Sequence, residues 1–170
     1  MFSLARFPFP FPLLPRSFMK QRLLAVIFVI YLGVVAALTI VPTHVSSFRS
    51  PHSNHINLIP LGYSFTCFLQ DSGAHPHLTA FCLKNTLGNI ALFLPFGFLL
   101  PLLFKSCGSL RRVMLVGFCL SLSIETIQFF SRFIGSLRAV DIDDVLLNTL
   151  GACLGFVIYR AIGGRGRGKG

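Results

Sequence analysis

The chain has 170 residues and a formal net charge of +10, yet only 12% of its residues are charged and 54% are hydrophobic. A water-soluble domain carries about 25% charged residues, so the composition excludes an ordinary soluble domain and points to a chain whose solvent is lipid. The positive charge does not indicate nucleic acid, because no basic helix, RNA-binding motif or aromatic stacking pattern accompanies it; it is to be read by position along the membrane topology.

The first segment, residues 1–22, is a basic arm. Its Phe-Pro alternation up to Ser17 resists helix formation, because proline lacks an amide proton and clashes with the preceding turn. Leu23 to Val41 follows as nineteen uncharged residues, close to the roughly 20 needed to cross the hydrocarbon core. Its length and the lack of a clear small-residue site after it favour an uncleaved first span over a signal peptide.

A long loop, Thr43 to Lys84, carries all five histidines. His52-x-x-His55 and His75-x-His77 lack a matching carboxylate or thiolate set, so they read as solvated residues and no metal or cofactor is expected. Ile56 to Leu61 is apolar but too short to span; it lies in the interface or dips back towards the bundle. Cys67 and Cys82 share this loop, and a disulfide between them is open to an oxidising compartment. Cys107, Cys119 and Cys153 fall in or beside apolar runs and read as small hydrophobes.

The second span covers Asn85 to Phe104, with Asn85 as a cap for its first turn. Pro95, Gly97 and Pro101 predict a kink or widened turn. The third span covers Val113 to Ser131, and the fourth covers Val145 to Ile162, followed by a Gly/Arg tail at 163–170. The expected architecture is all-α: four transmembrane helices in a bundle. Of the 15 Lys and Arg, eleven fall in the N-terminal arm, the 105–112 loop and the C-terminal end, and four on the other side. That bias places both termini in the cytoplasm of a multi-pass membrane protein.

Only five acidic residues occur. Glu125 lies inside the third span, about 18 Å up from Val113 at about 1.5 Å per residue. Ser121, Glu125, Gln128 and Arg132 follow helical spacing and form one stripe. Asp141, Asp144 and Asn148 line one face at the start of the fourth span, and Asp143 points to its opposite side and should tolerate change better. Asn85 and Asn89 occupy the corresponding end of the second span. An ionised side chain in lipid costs at least about 2.5 kcal/mol, so Glu125 should face the bundle, where Asn89, Gln128 and Asn148 can donate to it and Arg132 or Arg138 can neutralise it. Helix capping by Asp141 and Asp144 is the purely structural alternative. Gly151-x-x-x-Gly155 is a small-residue packing face. No G-x-S-x-G, H-E-x-x-H or P-loop is present.

Four ordered segments carry a family resemblance. They are Asn57-Leu-Ile-Pro60; Asn85 to Gly97; Ser121-Leu-Ser-Ile-Glu125-Thr-Ile-Gln128; and Arg138 to Gly151. Together they resemble the VanZ-like membrane proteins, over roughly residues 55 to 160. The family takes its name from a protein associated with resistance to the glycopeptide teicoplanin, so the resemblance implies a bacterial envelope protein. It assigns no catalytic residue. Asn57, Asn89, Glu125, Gln128, Arg138, Asp141, Asp144 and Asn148 correspond to its motif positions. Three functions follow as expectations: binding or modification of a lipid-linked or cell-wall component at an outward polar pocket, a non-enzymatic assembly role, or proton-coupled transport by an oligomer. The bilayer is the expected partner, with a lipid-linked envelope precursor as the ligand in the first case.

Overall fold

In a bilayer every backbone polar group must be satisfied within the protein, which leaves long helices as the spanning solution for apolar runs of this length. The computed structural model describes residues 16–40, 56–57, 76–131, 133 and 140–164. Among them are four long helices: α1 (Arg16–Ile40), α2 (Pro76–Leu103), α3 (Leu110–Ser131) and α4 (Ile142–Gly164). Each contains a stretch long and apolar enough to cross a membrane. The chain is a multi-pass, all-helical membrane protein. The described residues also include a two-stranded parallel pair, β1 (Ile56–Asn57) and β2 (Val140–Asp141), in the register Ile56 to Val140 and Asn57 to Asp141.

The helix starts differ from the sequence expectation. α1 begins at Arg16, so the last seven residues assigned to the arm are helical. α2 begins at Pro76, where proline's missing amide proton is no loss because a first-turn amide has no intrahelical acceptor. Asn85 is consequently deep in the helix, and its amide serves another helix instead of capping its own. α2 continues as one helix through Pro95, Gly97 and Pro101. A short 3₁₀ turn, Lys105–Cys107, joins it to α3, and Arg112 donates to the carbonyl of Ser106 across this basic connection.

The order of contacts defines an up-down-up-down bundle. Tyr31 donates to the carbonyl of Leu92, and Phe28 stacks on Phe96 with ring centroids 5.9 Å apart. Rising numbers on α1 meet falling numbers on α2, so these two are antiparallel. α3 and α4 are antiparallel by the same reasoning, since Ser121 meets Asn148 and Gly117 approaches Ala152. α2 and α4 run parallel and make the most extensive helix contact.

Glycine explains that intimacy. A Cβ at Gly97 would collide with the carbonyl of Ala152, one at Gly151 with the carbonyl of Ile90, and one at Gly155 with the carbonyl of Leu94. Without Cβ atoms the two backbones approach directly, the usual means of tight packing in lipid, where no hydrophobic force drives helices together. The core beside this seam holds Phe93, Phe96, Leu100, Val113, Ala152 and Phe156. α4 is the most buried of the four spans and α1 the least, at 39% and 17% of their apolar windows, which makes α1 the peripheral helix.

Candidate functional site

The buried face of α3 reads Val113, Gly117, Ser121, Ile124, Glu125 and Gln128. This is the polar stripe set out by the spacing, with Arg132 outside the described residues. Counted from Leu110, Glu125 lies about 22 Å along a helix of about 33 Å. Other positions of α3, among them Leu115, Leu122 and Ile127, are exposed and apolar, suited to lipid. One helix therefore carries a polar inner stripe and a hydrocarbon outer face.

α4 begins where β2 ends, and its first turn concentrates charge. The Asp143 amide donates to Asp141 Oδ1 at 3.0 Å, which makes Asp141 the N-cap of α4. Asp143 and Asp144 occupy the first turn, where carboxylates complement the positive end of the helix dipole. The Asp141 amide in turn donates to Glu125 Oε2 at 3.3 Å. Glu125, only 6% exposed, is thus joined to the segment that starts α4.

Asp144 takes its partners from α2. Both Asn85 Nδ2, at 3.2 Å, and Asn89 Nδ2 donate to its Oδ1. Residues 85 and 89 are one turn apart and so present their amides on the same side. The glycine seam holds α2 and α4 close enough for both to reach one carboxylate oxygen. One turn further along α4, Asn148 Nδ2 donates to Ser121 Oγ at 2.8 Å. The Asn148 Oδ1 atom is buried without a hydrogen-bond partner among the described residues. Gln128 Nε2 donates to the Thr39 carbonyl at 2.7 Å and so ties α3 to the end of α1.

These partners differ from the expected ones. Asn89, Gln128 and Asn148 do not converge on Glu125; each serves a separate joint, to Asp144, Thr39 and Ser121 respectively. Asp143 is the clear correction. It is 1% exposed, more buried than Glu125: successive helix residues lie about 100° apart, so Asp143 is turned away from Asp144 without reaching the exposed side of the helix. Asn57 is brought beside Asp141 through the backbone ladder, and its side chain lies outside the described residues, as does Arg138. Gly151 and Gly155 sit in the α2–α4 seam. Asn85, Thr39 and Tyr31 are joints that sequence spacing did not assign, although an Asn pair one turn apart inside an apolar run is a readable signal for Asn85.

Cys82, near the same end of α2, is disulfide-bonded, whereas Cys107, Cys119 and Cys153 are free thiols. Cys67 lies outside the described residues. The arrangement as a whole is a cluster of four carboxylates, two amides and helix-start backbone groups gathered from α2, α3, β2 and α4 at one end of the bundle. Carboxylates and amides in such a cluster can accept from ammonium groups, hydroxyls or a cation, and Asn85 and Asn89 already direct amide donors into it.

Comparison with known proteins places the chain. Protein VanZ of Enterococcus faecium is 41% identical over 76 residues, a stretch that is 45% of this chain and 44% of that protein. The chain thus aligns with less than half the length of that relative. No solved structure matches. The sequence profile described as VanZ/LLP1 matches residues 28–163, from the middle of α1 to the end of α4. The chain belongs to the VanZ/LLP1 family.

Proposed function

We propose that this is a protein of the bacterial cytoplasmic membrane whose outward-facing polar cluster binds, or modifies, a lipid-linked or cell-wall component of the envelope. The observation that carries the reading is the gathering of Glu125, Asp141, Asp143 and Asp144 at one end of the bundle, two of them buried, with Asn85 and Asn89 beside them. Gathering four of the chain's five acidic residues in a membrane-spanning bundle, with Glu125 and Asp143 buried, is expensive. Packing alone would be served more cheaply by apolar residues.

The orientation belongs to the same proposal. The eleven-to-four distribution of Lys and Arg supports cytoplasmic termini. A disulfide at Cys82 supports an oxidising environment at the Asp144 end of the bundle. With that end outward, an amine, a cation or sugar hydroxyls suit the carboxylates and amides; a bare phosphate requires Arg138 or Arg132 to join them. The glycopeptide association of the VanZ name makes teicoplanin sensitivity the natural phenotype to score.

The test compares Glu125→Gln, Asp144→Asn and Arg138→Ala with the unaltered chain, reading membrane abundance and sensitivity to envelope antibiotics together. Normal abundance with a lost phenotype is the expected result. Loss of abundance in all three rejects the binding reading in favour of an assembly or accessory role. That second reading has one observation of its own: the Asp141, Asp144 and Gln128 side chains all make hydrogen bonds within the fold.

A further inference from the structure

Six basic side chains gather at the end of the bundle opposite the carboxylates, and helix register shows it. Carried the same number of residues back along the parallel helices α1 and α3, the Gln128–Thr39 joint brings Arg22 level with Arg111. The Tyr31–Leu92 and Phe28–Phe96 contacts put Lys20 level with the end of α2, and the Ser121–Asn148 joint puts Arg160 level with the start of α3. Lys105 and Arg112 flank the turn between α2 and α3. Both α1 and α4 pack against α2 and α3, so this connection lies between them. All six side chains are exposed. Two of them are held: the Arg22 guanidinium lies over the Phe18 ring, 4.4 Å from its centroid, and Arg112 donates to the Ser106 carbonyl. Phe18 is one turn nearer the start of α1, so Arg22 is drawn away from the membrane centre.

We propose that this basic rim binds the phosphate headgroup of an anionic phospholipid, of the phosphatidylglycerol class, in the leaflet it meets. The chain itself supplies no counter-charge there. Four of its five acidic residues are at the far end, with Glu125 about 21 Å from Arg111 along α3. The fifth, Asp71, belongs to the segment between Ile40 and Pro76, which leaves α1 and enters α2 at the carboxylate end. Segments 1–15, 104–109 and 165–170, which adjoin the rim in sequence, contain no Asp or Glu. A second copy inserted the same way presents the same positive rim and repels it. The counter-charge therefore comes from outside the protein, and depth selects its source. The six residues lie at the ends of spanning helices, where Lys and Arg extend to the headgroup layer. Basic clusters of this size beside a span attract anionic lipid, and a guanidinium fork matches two phosphate oxygens. The inference holds whichever leaflet the rim meets, so it does not rest on the proposed function.

The experiment titrates the full chain, in detergent micelles, with phosphatidylglycerol and with phosphatidylcholine of the same acyl chains. Bound lipid is counted by native mass spectrometry. Phosphatidylglycerol is expected to bind at least about tenfold more tightly. Arg22→Gln combined with Arg111→Gln should weaken its binding about 30-fold, and so should Lys105→Gln combined with Arg112→Gln. Phosphatidylcholine binding should stay unchanged in both, which checks that the variants are folded. Lys84→Gln removes an exposed charge at the carboxylate end and should leave the preference intact. Equal affinity for the two lipids overturns the proposal. So does a preference that survives both double substitutions, or one that Lys84→Gln weakens as much, since that reports net charge alone. Tighter binding of polyglutamate or of an RNA oligonucleotide, each added in place of lipid, also overturns it by giving the rim to an acidic protein or a nucleic acid.

Discussion

Gly97→Ala tests whether the glycine seam between α2 and α4 sets the position of the site. A Cβ at Gly97 would sit 2.6 Å from the carbonyl carbon and 2.8 Å from the Cα of Ala152. Carbon atoms in contact prefer about 3.5–4.0 Å, so the two helices must separate by about 1 Å. The obstacle is backbone and cannot rotate away as a side chain can. Overpacking costs about 1–3 kcal/mol, and the upper end applies here. Gly88→Ala is the control: nothing lies within 4 Å of its Cβ position, and the gain in helix propensity is up to about 1 kcal/mol. The two variants add the same methyl group to the same helix. They should differ by about 3–4 kcal/mol, roughly two to three orders of magnitude in the folded-to-unfolded ratio. The assay is reversible unfolding by SDS from mixed micelles, followed by the reactivity of the Cys153 thiol on α4. Equal stability of Gly97→Ala and Gly88→Ala would refute the seam.

Three further outcomes follow from the polar joints. Ser121→Ala should cost about 1–3 kcal/mol by leaving the whole Asn148 amide without a partner; adding Asn148→Leu should recover most of that in the same unfolding assay, and no recovery would deny the pair its role. Asp143→Ala should lower the unfolding midpoint by the equivalent of about 2 kcal/mol, against a change within about 0.5 kcal/mol for the exposed Thr126→Ala. A reporter fused after Gly170 should read cytoplasmic, and one inserted before Cys82 external; an external reading at Gly170 would reverse the assignment of the carboxylate end to the outside.

Hydrophobic runs and their polar interruptions determine much of this protein from sequence. A run of about twenty apolar residues leaves the backbone no alternative to a spanning helix, so the four spans and the Ser121, Glu125, Gln128 stripe were legible. Helical periodicity fixes which residues share a face, and the cost of charge in lipid turns that face inward. Periodicity does not say what covers a face, which is where the tertiary structure decided. Asp143 is turned about 100° away from Asp144 on α4, yet it is buried, in a region where the distant β1 segment pairs with β2. Partner choice was likewise invisible. Asn89 meets Asp144 and not Glu125 because Gly97, Gly151 and Gly155 let α2 and α4 close to backbone contact and set their relative position. That position arises only when both helices are packed together, since each glycine acts through the carbonyl opposite it on the other helix.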